Sequence, residues 1–134
     1  MKKIIVSIAV IGFVFGGFIL LSNPNKSSGN SEAPGQTFSV IQQDIAEGAV
    51  LYDVRTLEEY RMGHFENAQL LPLQDIEASK LPNKPKDTTM YVYCNSGNRS
   101  RQAAALLKSA GFTNVIDLHG LQSVRAIGGT LIAG

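Results

Sequence analysis

After Lys2 and Lys3 the chain runs from Ile4 to Leu21 without a charge, with Ser7 as the one polar side chain among eighteen residues. As a helix rising ~1.5 Å per residue this run reaches about 27 Å, enough to cross a hydrocarbon core. A helix buried in a globular core rarely lacks a polar face, so a membrane-spanning helix is the better reading. A cleaved signal peptide should end in a small-x-small site. Here Leu21 leads into Ser22-Asn23-Pro24-Asn25, with neither Ala-x-Ala nor a cysteine for lipid attachment. Residues 1–21 are therefore read as an uncleaved signal anchor ahead of a cleaved signal peptide. In both cases Lys2 and Lys3 stay in the cytoplasm and the rest of the chain is exported. Residues 22–36 are rich in Ser, Asn, Gly and Pro. They carry too few large apolar side chains to offset chain entropy, which predicts a flexible linker.

From Thr37 to the end, residues 37–134, the pattern changes to short apolar runs alternating with amphipathic ones. Phe38 is expected in a short edge strand, and Ser39 to cap a helix reaching Glu47, with Val40, Ile41 and Ile45 on one face and Gly48 as its stop. Residues 49–54 form a continuous apolar run, the kind a parallel sheet buries on both faces. A short helix is expected from Thr56 through Tyr60, ending near Gly63. A third strand spans 68–72 and stops at Pro72. Residues 75–80 predict a weak helix and 89–93 a central strand. From Ser100 to Ala110 the apolar positions Ala103, Ala104, Leu106 and Leu107 recur at helical spacing, and Gly111 closes the element. Residues 114–118 are the fifth strand, and a last short helix runs from Gly120 to Ile127 before an irregular tail. This alternation predicts an α/β fold: a parallel sheet of about five strands with helices on both faces, preceded by the N-terminal membrane-spanning helix. Sites in such sheets lie at the carboxyl ends of the strands.

Composition narrows the chemistry. The 134 residues allow one domain of ordinary size, and the net charge of +1 gives no footing for a nucleic-acid partner. From Thr37 onward nine Lys or Arg face ten Asp or Glu, so the folded part is close to neutral. A single cysteine excludes an internal disulfide framework and a multi-cysteine metal site. His64 and His119 have no ligand pattern around them, which argues against zinc.

The lone cysteine sits in Tyr91-Val92-Tyr93-Cys94-Asn95-Ser96-Gly97-Asn98-Arg99-Ser100, read as strand, tight loop and helix start. A cysteine after an apolar strand is commonly a small buried hydrophobe. The polar and cationic loop reverses that reading. Successive backbone N–H groups in such a turn converge on an anion, and a helix N-terminus adds positive potential. Arg99 adds a fixed charge. These features lower a thiol pKa and make Cys94 a nucleophile. Cysteine phosphatases wrap phosphate with Cys-x5-Arg, which would need arginine at 100, and that position is Ser100. Cys-x4-Arg is one residue tighter and favours a single sulfur atom carried on the cysteine. An arsenate reductase would also need partner cysteines that this chain lacks.

Cys94 to Ser100 closely resembles the active-site loop of the single-domain rhodanese (thiosulfate sulfurtransferase) family. So do Leu51-Tyr52-Asp53-Val54-Arg55, Glu58-Glu59-Tyr60, Gly63-His64 and Asn67-Ala68 through Pro72. The size and the export signal are most like the small exported phage-shock-type members. The ending Gly120-Leu121-Gln122-Ser123-Val124 also looks like theirs, while the absence of Trp departs from many relatives. The resemblance implies a two-step reaction in which Cys94 takes the outer sulfur of thiosulfate and passes it, as a persulfide, to cyanide or a thiol. It implies an N–H nest over Asn95, Ser96, Gly97, Asn98 and Arg99, with Arg99 on the thiosulfate oxyanion and Ser100 capping the helix. No cofactor is called for. A non-catalytic sulfur carrier or protein-interaction module is the alternative.

Asp53 is expected either to brace the loop or simply to end its strand. Arg55 is expected to pair with Glu58 or Glu59. Arg101 either widens the positive mouth or lies on a solvated helix face. His64 is expected to hold its turn, and His119 to reach the rim at most.

Overall fold

Strands β1 (Val50–Asp53), β3 (Ala68–Leu70), β4 (Met90–Tyr93) and β5 (Val115–Asp117) form one sheet in the order β3-β1-β4-β5. Every neighbouring pair is parallel, with Asp53 level with Tyr93 and Val92 level with Asp117. The computed structural model describes residues 35–134. The expected anchor at 1–21 and the linker as far as residue 34 lie outside the described residues. Among the described residues no helix is long and apolar enough to cross a membrane.

The two-residue period of the strands sorts their side chains into two cores. Val50, Tyr52, Val54, Met90, Val92 and Cys94 face α3 (Leu73–Glu77) and α4 (Asn98–Ser109), where Leu73, Ile76, Ala103, Ala104 and Leu107 close the layer. Leu51, Tyr91 and Tyr93 point to the opposite face. There they meet α1 (Phe38–Ala46) through Phe38 and Ile41, and α5 (Leu121–Ala126) through Val124. Both central strands are buried along their whole length, which explains why they are apolar throughout except for Asp53 at the end of β1. Burying a side chain such as Leu107 contributes ~1.5–3 kcal/mol.

The structure differs from the sequence expectation at both ends of the described region, and α3 starts at Leu73 and ends at Glu77 rather than spanning 75–80. Phe38 is the first residue of α1 rather than an edge strand, so the sheet has four strands instead of five. Thr37, not Ser39, is the cap, because its side chain accepts the Val40 N–H at 3.4 Å. Phe38 still fills the core, but from a helix, so its ring packs on Phe65 at 5.7 Å. Of the three residues expected on one face of that helix, Ile41 is buried and Ile45 packs on the same core, whereas Val40 is exposed. The tail after Gly128 is not irregular throughout. Its strand β6 (Leu131–Ile132) pairs antiparallel with β2 (His64–Phe65). Two residues are too short for an alternation pattern to register in the sequence.

The helix expected from Thr56 has its N-terminus fixed by a full capping box. The Thr56 hydroxyl accepts the Glu59 N–H at 3.3 Å and the Glu59 carboxylate accepts the Thr56 N–H at 3.0 Å. This helix, α2 (Leu57–Met62), ends at Gly63. Its capping carboxylate also reaches the reactive loop.

Candidate active site

Strand β4 ends at Tyr93 and leaves Cys94 at the carboxyl edge of the sheet, fully buried. The Cys94 N–H donates to the carbonyl of His119 at 2.9 Å, so the strand's last bond is made to the loop after β5. From there the chain turns sharply into α4. Gly97 takes φ +96°, the left-handed region that favours glycine, and this aims its N–H at Cys94 Sγ at 3.0 Å. The N–H groups of Ser96 and Ser100 also face the sulfur.

Burial pushes the Cys94 thiol up, but hydrogen bonds from Ser100, both backbone and hydroxyl, and from the Gly97 and Ser96 N–H groups outweigh it. The thiol ends below its ordinary value. Arg99, expected to lower the thiol as well, is not among the groups hydrogen-bonded to the sulfur, which are the Gly97 N–H and the Ser100 hydroxyl.

Ser100 does not cap the helix. The helix begins two residues earlier, at Asn98, with Gly97 in the capping position. Ser100 lies in the first turn with its Oγ 3.7 Å from Cys94 Sγ, 3.1 Å from the Gly97 carbonyl and 3.2 Å from the His119 carbonyl. Its one proton can turn toward a carbonyl when the sulfur is a thiol, or toward Sγ when it is a thiolate. It fixes the loop and adapts to the charge of the sulfur.

The loop is clamped from the other side by the start of α5. The Asn95 carbonyl accepts the Leu121 N–H at 3.1 Å, and Ser96 bridges Gly120. A Cβ on Gly120 would stand 2.7 Å from the Asn95 carbonyl oxygen and 3.2 Å from the Ser96 backbone. Gly120→Ala must therefore push the loop outward. We expect it to lower stability by ~1–3 kcal/mol and to slow Cys94 alkylation relative to a free thiol. Unchanged alkylation would mean that the clamp does not set the nest.

His119 takes φ +65°, which turns its carbonyl to both Cys94 N and Ser100 Oγ. Its ring is exposed and lies 3.2 Å from Asp117. The site uses the backbone of His119, not its imidazole. His64 stacks on Tyr60 at 3.9 Å, and its Nδ1 lies 3.2 Å from the Tyr60 carbonyl, so it holds its turn. Asn95, Ser96 and Asn98 form an exposed rim. Arg101 is exposed and donates to the Asn98 side chain at 3.3 Å, on the solvated face of α4. Among the described residues, no group of three His, Cys, Asp or Glu is placed to hold a metal ion.

Two ion pairs replace the pairing expected for Arg55. Its partner is Asp53, not Glu58 or Glu59. Arg55 Nε donates to the two carboxylate oxygens at 2.9 and 3.0 Å, and Nη2 to Oδ2 at 2.5 Å and to the Gly63 carbonyl at 2.7 Å. Tyr93 donates its hydroxyl to the same carboxylate at 2.8 Å. Asp53 and Cys94 lie on neighbouring strands but project from opposite faces of the sheet. Asp53 thus braces the end of β4 through Tyr93 and does not reach the sulfur. Burial and then the Asp53 charge push the Tyr93 hydroxyl far up, which keeps it a donor.

Glu59 instead holds Arg99. Arg99 Nη1 donates to Oε2 at 2.6 Å and Nη2 to Oε1 at 2.8 Å, a bidentate pair between partly exposed side chains. The Arg99 hydrogen bonds, against the cost of burial, bring the Glu59 carboxyl down to about 2. A carboxylate with a depressed pKa adds stability that is complete above its ordinary value and is lost as pH falls toward about 2. Glu59 thus serves both the capping box of α2 and Arg99. The second partner, forty residues away, left no local trace.

The chain belongs to the Rhodanese-like domain family, whose pattern matches residues 37–121. Thiosulfate sulfurtransferase PspE of Escherichia coli (strain K12) is 36% identical over 75 residues, covering 54% of this chain and 70% of that protein. Adenylyltransferase and sulfurtransferase uba4 of Ogataea parapolymorpha is 37% identical over 82 residues. That match takes in 61% of this chain but spans only 21% of the longer protein. Among solved structures, a rhodanese with anions from E. coli aligns with a TM-score of 0.55 at 31% identity, covering 65% of this chain and 100% of that one. The family likeness expected from the loop at Cys94 is borne out.

Proposed function

We propose that this protein is a sulfurtransferase that moves sulfane sulfur from thiosulfate, or from a persulfide, to cyanide or a thiol by way of a Cys94 persulfide. The observation that carries the reading is the nest around Sγ, with the Gly97 N–H at 3.0 Å and the N–H groups of Ser96 and Ser100 beside it. A persulfide places its negative charge one atom further out, within the same loop of donors. The likeness to a thiosulfate sulfurtransferase from E. coli supports the choice of donor.

The steps balance without a redox partner. The Cys94 thiolate attacks the outer sulfur of thiosulfate, forming a new S–S bond. The old bond to the sulfonate sulfur breaks, and its electron pair leaves with sulfite. Cyanide or a thiolate then attacks the outer sulfur of the persulfide, and the electron pair returns to Cys94 as thiolate. Preorganised N–H donors favour both anionic states and need not move during transfer. The attacking species is the thiolate, which the lowered Cys94 pKa favours, so the transfer step itself needs no general base. Wild-type protein given thiosulfate and cyanide should release thiocyanate in proportion to enzyme; failure to do so, and equally with persulfide donors, would remove this reading.

The apolar run from Ile4 to Leu21 supports an exported location, with the domain outside the cytoplasm on an uncleaved anchor, or released if the segment is cut. In a membrane-bounded cell, protease added from outside should then reach the domain. Its protection until the cytoplasm is opened would contradict the placement.

A further inference from the structure

The resting site holds a contradiction with simple anion capture. Arg99 stands in the first turn of α4 beside the reactive loop, close enough to be influenced by the charge of Cys94. Yet both ends of its guanidinium fork are already bonded to a carboxylate, at 2.6 and 2.8 Å. A dianionic donor approaching that fork meets a neutralised pair rather than a free cation.

The partner is held firmly on its own side. Glu59 Oε2 also accepts the Thr56 N–H at 3.0 Å, so the carboxylate is fixed to the N-terminus of α2 whether or not Arg99 is present. Arg99 has no second anchor of that kind among its hydrogen bonds in the described residues. The pair is nevertheless open to solvent, with the two side chains 30% and 26% exposed. Exposed pairs are screened and exchange readily with competing ions. The guanidinium fork fits a carboxylate and a sulfonate edge equally well in geometry.

We propose that Glu59 occupies, in the resting protein, the place on Arg99 that an anionic sulfur donor takes, and so sets how strongly the site selects negatively charged donors. Glu59 is a positioning residue that acts through Arg99. Its carboxylate lowers the attraction for a dianion such as thiosulfate and leaves the approach of an uncharged reagent to Cys94 unaffected. The inference deepens the sulfurtransferase reading and rests on it for the identity of the donor, but its test does not require turnover.

The test compares alkylation of Cys94 by iodoacetate, an anion, and by iodoacetamide, its neutral analogue. Glu59→Gln keeps the capping box, since glutamine can accept the Thr56 N–H, while removing the charge. The ratio of iodoacetate to iodoacetamide rates should rise roughly fivefold, and the KM for thiosulfate should fall by a similar factor. In an Arg99→Gln background, where Glu59 has no guanidinium to occupy, the same change should raise the ratio by clearly less, only the screened effect of removing one partly exposed charge. An equal rise in both backgrounds would show that Glu59 does not act through Arg99 and would overturn the proposal. An unchanged ratio in Glu59→Gln, or equal slowing with both reagents, would overturn the proposal and leave Glu59 as a helix cap alone. A raised ratio in a protein that transfers no sulfur would uphold the Glu59 role and remove the sulfurtransferase reading.

Discussion

Cys94→Ser is expected to yield a folded protein whose release of thiocyanate from thiosulfate and cyanide falls to the uncatalysed background. Oxygen replaces sulfur at almost the same volume, and the Gly97 N–H and the Ser100 hydroxyl keep an acceptor at that position. The cost to stability should stay within about 1 kcal/mol. The chemistry has no such tolerance. A serine hydroxyl is not ionised near neutral pH and cannot carry a sulfane sulfur as a persulfide. Thermal unfolding and thiocyanate release measured on one preparation separate the two effects. Activity in the serine variant would place the sulfur-carrying group elsewhere. The same nest predicts the pH profile of the wild-type thiol. Hydrogen bonds outweigh burial and favour the thiolate, so alkylation should persist below the pH at which an ordinary cysteine, near ~8.5, loses its charge. A midpoint at or above that of free cysteine would mean that burial has won.

Arg55→Ala is expected to cost ~3–5 kcal/mol, the usual penalty for stripping one partner from a buried ion pair. Asp53 is fully buried and Arg55 nearly so. Without the guanidinium the carboxylate keeps only the Tyr93 hydroxyl and the Arg55 backbone N–H, and the Gly63 carbonyl loses its donor. For a domain of this size each kcal/mol moves the melting temperature by roughly 4–8 °C, so a fall of about 12 °C or more should be seen. Arg99→Ala, which breaks an exposed pair, should cost only about 1 kcal/mol. The two arginines thus divide the work: Arg55 holds the ends of β1 and β4 together, and Arg99 serves the mouth of the loop. Comparable losses from the two substitutions in calorimetry would show that this division is wrong.

Most of the architecture was legible because the strands are buried on both faces. The apolar runs at residues 50–52 and at Met90–Tyr93 left no competing period. The ends were less legible. Phe38 looked like strand because an isolated aromatic carries no period, and the Thr37 cap decided the matter. The pairing of Leu131 and Ile132 with β2 is a long-range contact of two residues, below any local signal. Within the site, Cys94 and its loop could be read directly, since thiol, glycine and helix start are contiguous. The ion pairs could not. Arg55 was assigned to a sequence neighbour on its own helix start, while strand alternation carried Asp53 to the face where the guanidinium lies. Glu59 reached across the sheet edge to Arg99, a choice set by tertiary placement. His119 contributes a carbonyl, and a backbone group has no side-chain signature at all.

The central claim is that Cys94 carries sulfur. Mass spectrometry of wild-type protein after brief exposure to thiosulfate should find a gain of one sulfur atom on the peptide containing Cys94, and treatment with cyanide should remove it with formation of thiocyanate. No gain, or a gain on any peptide lacking Cys94, would contradict the account.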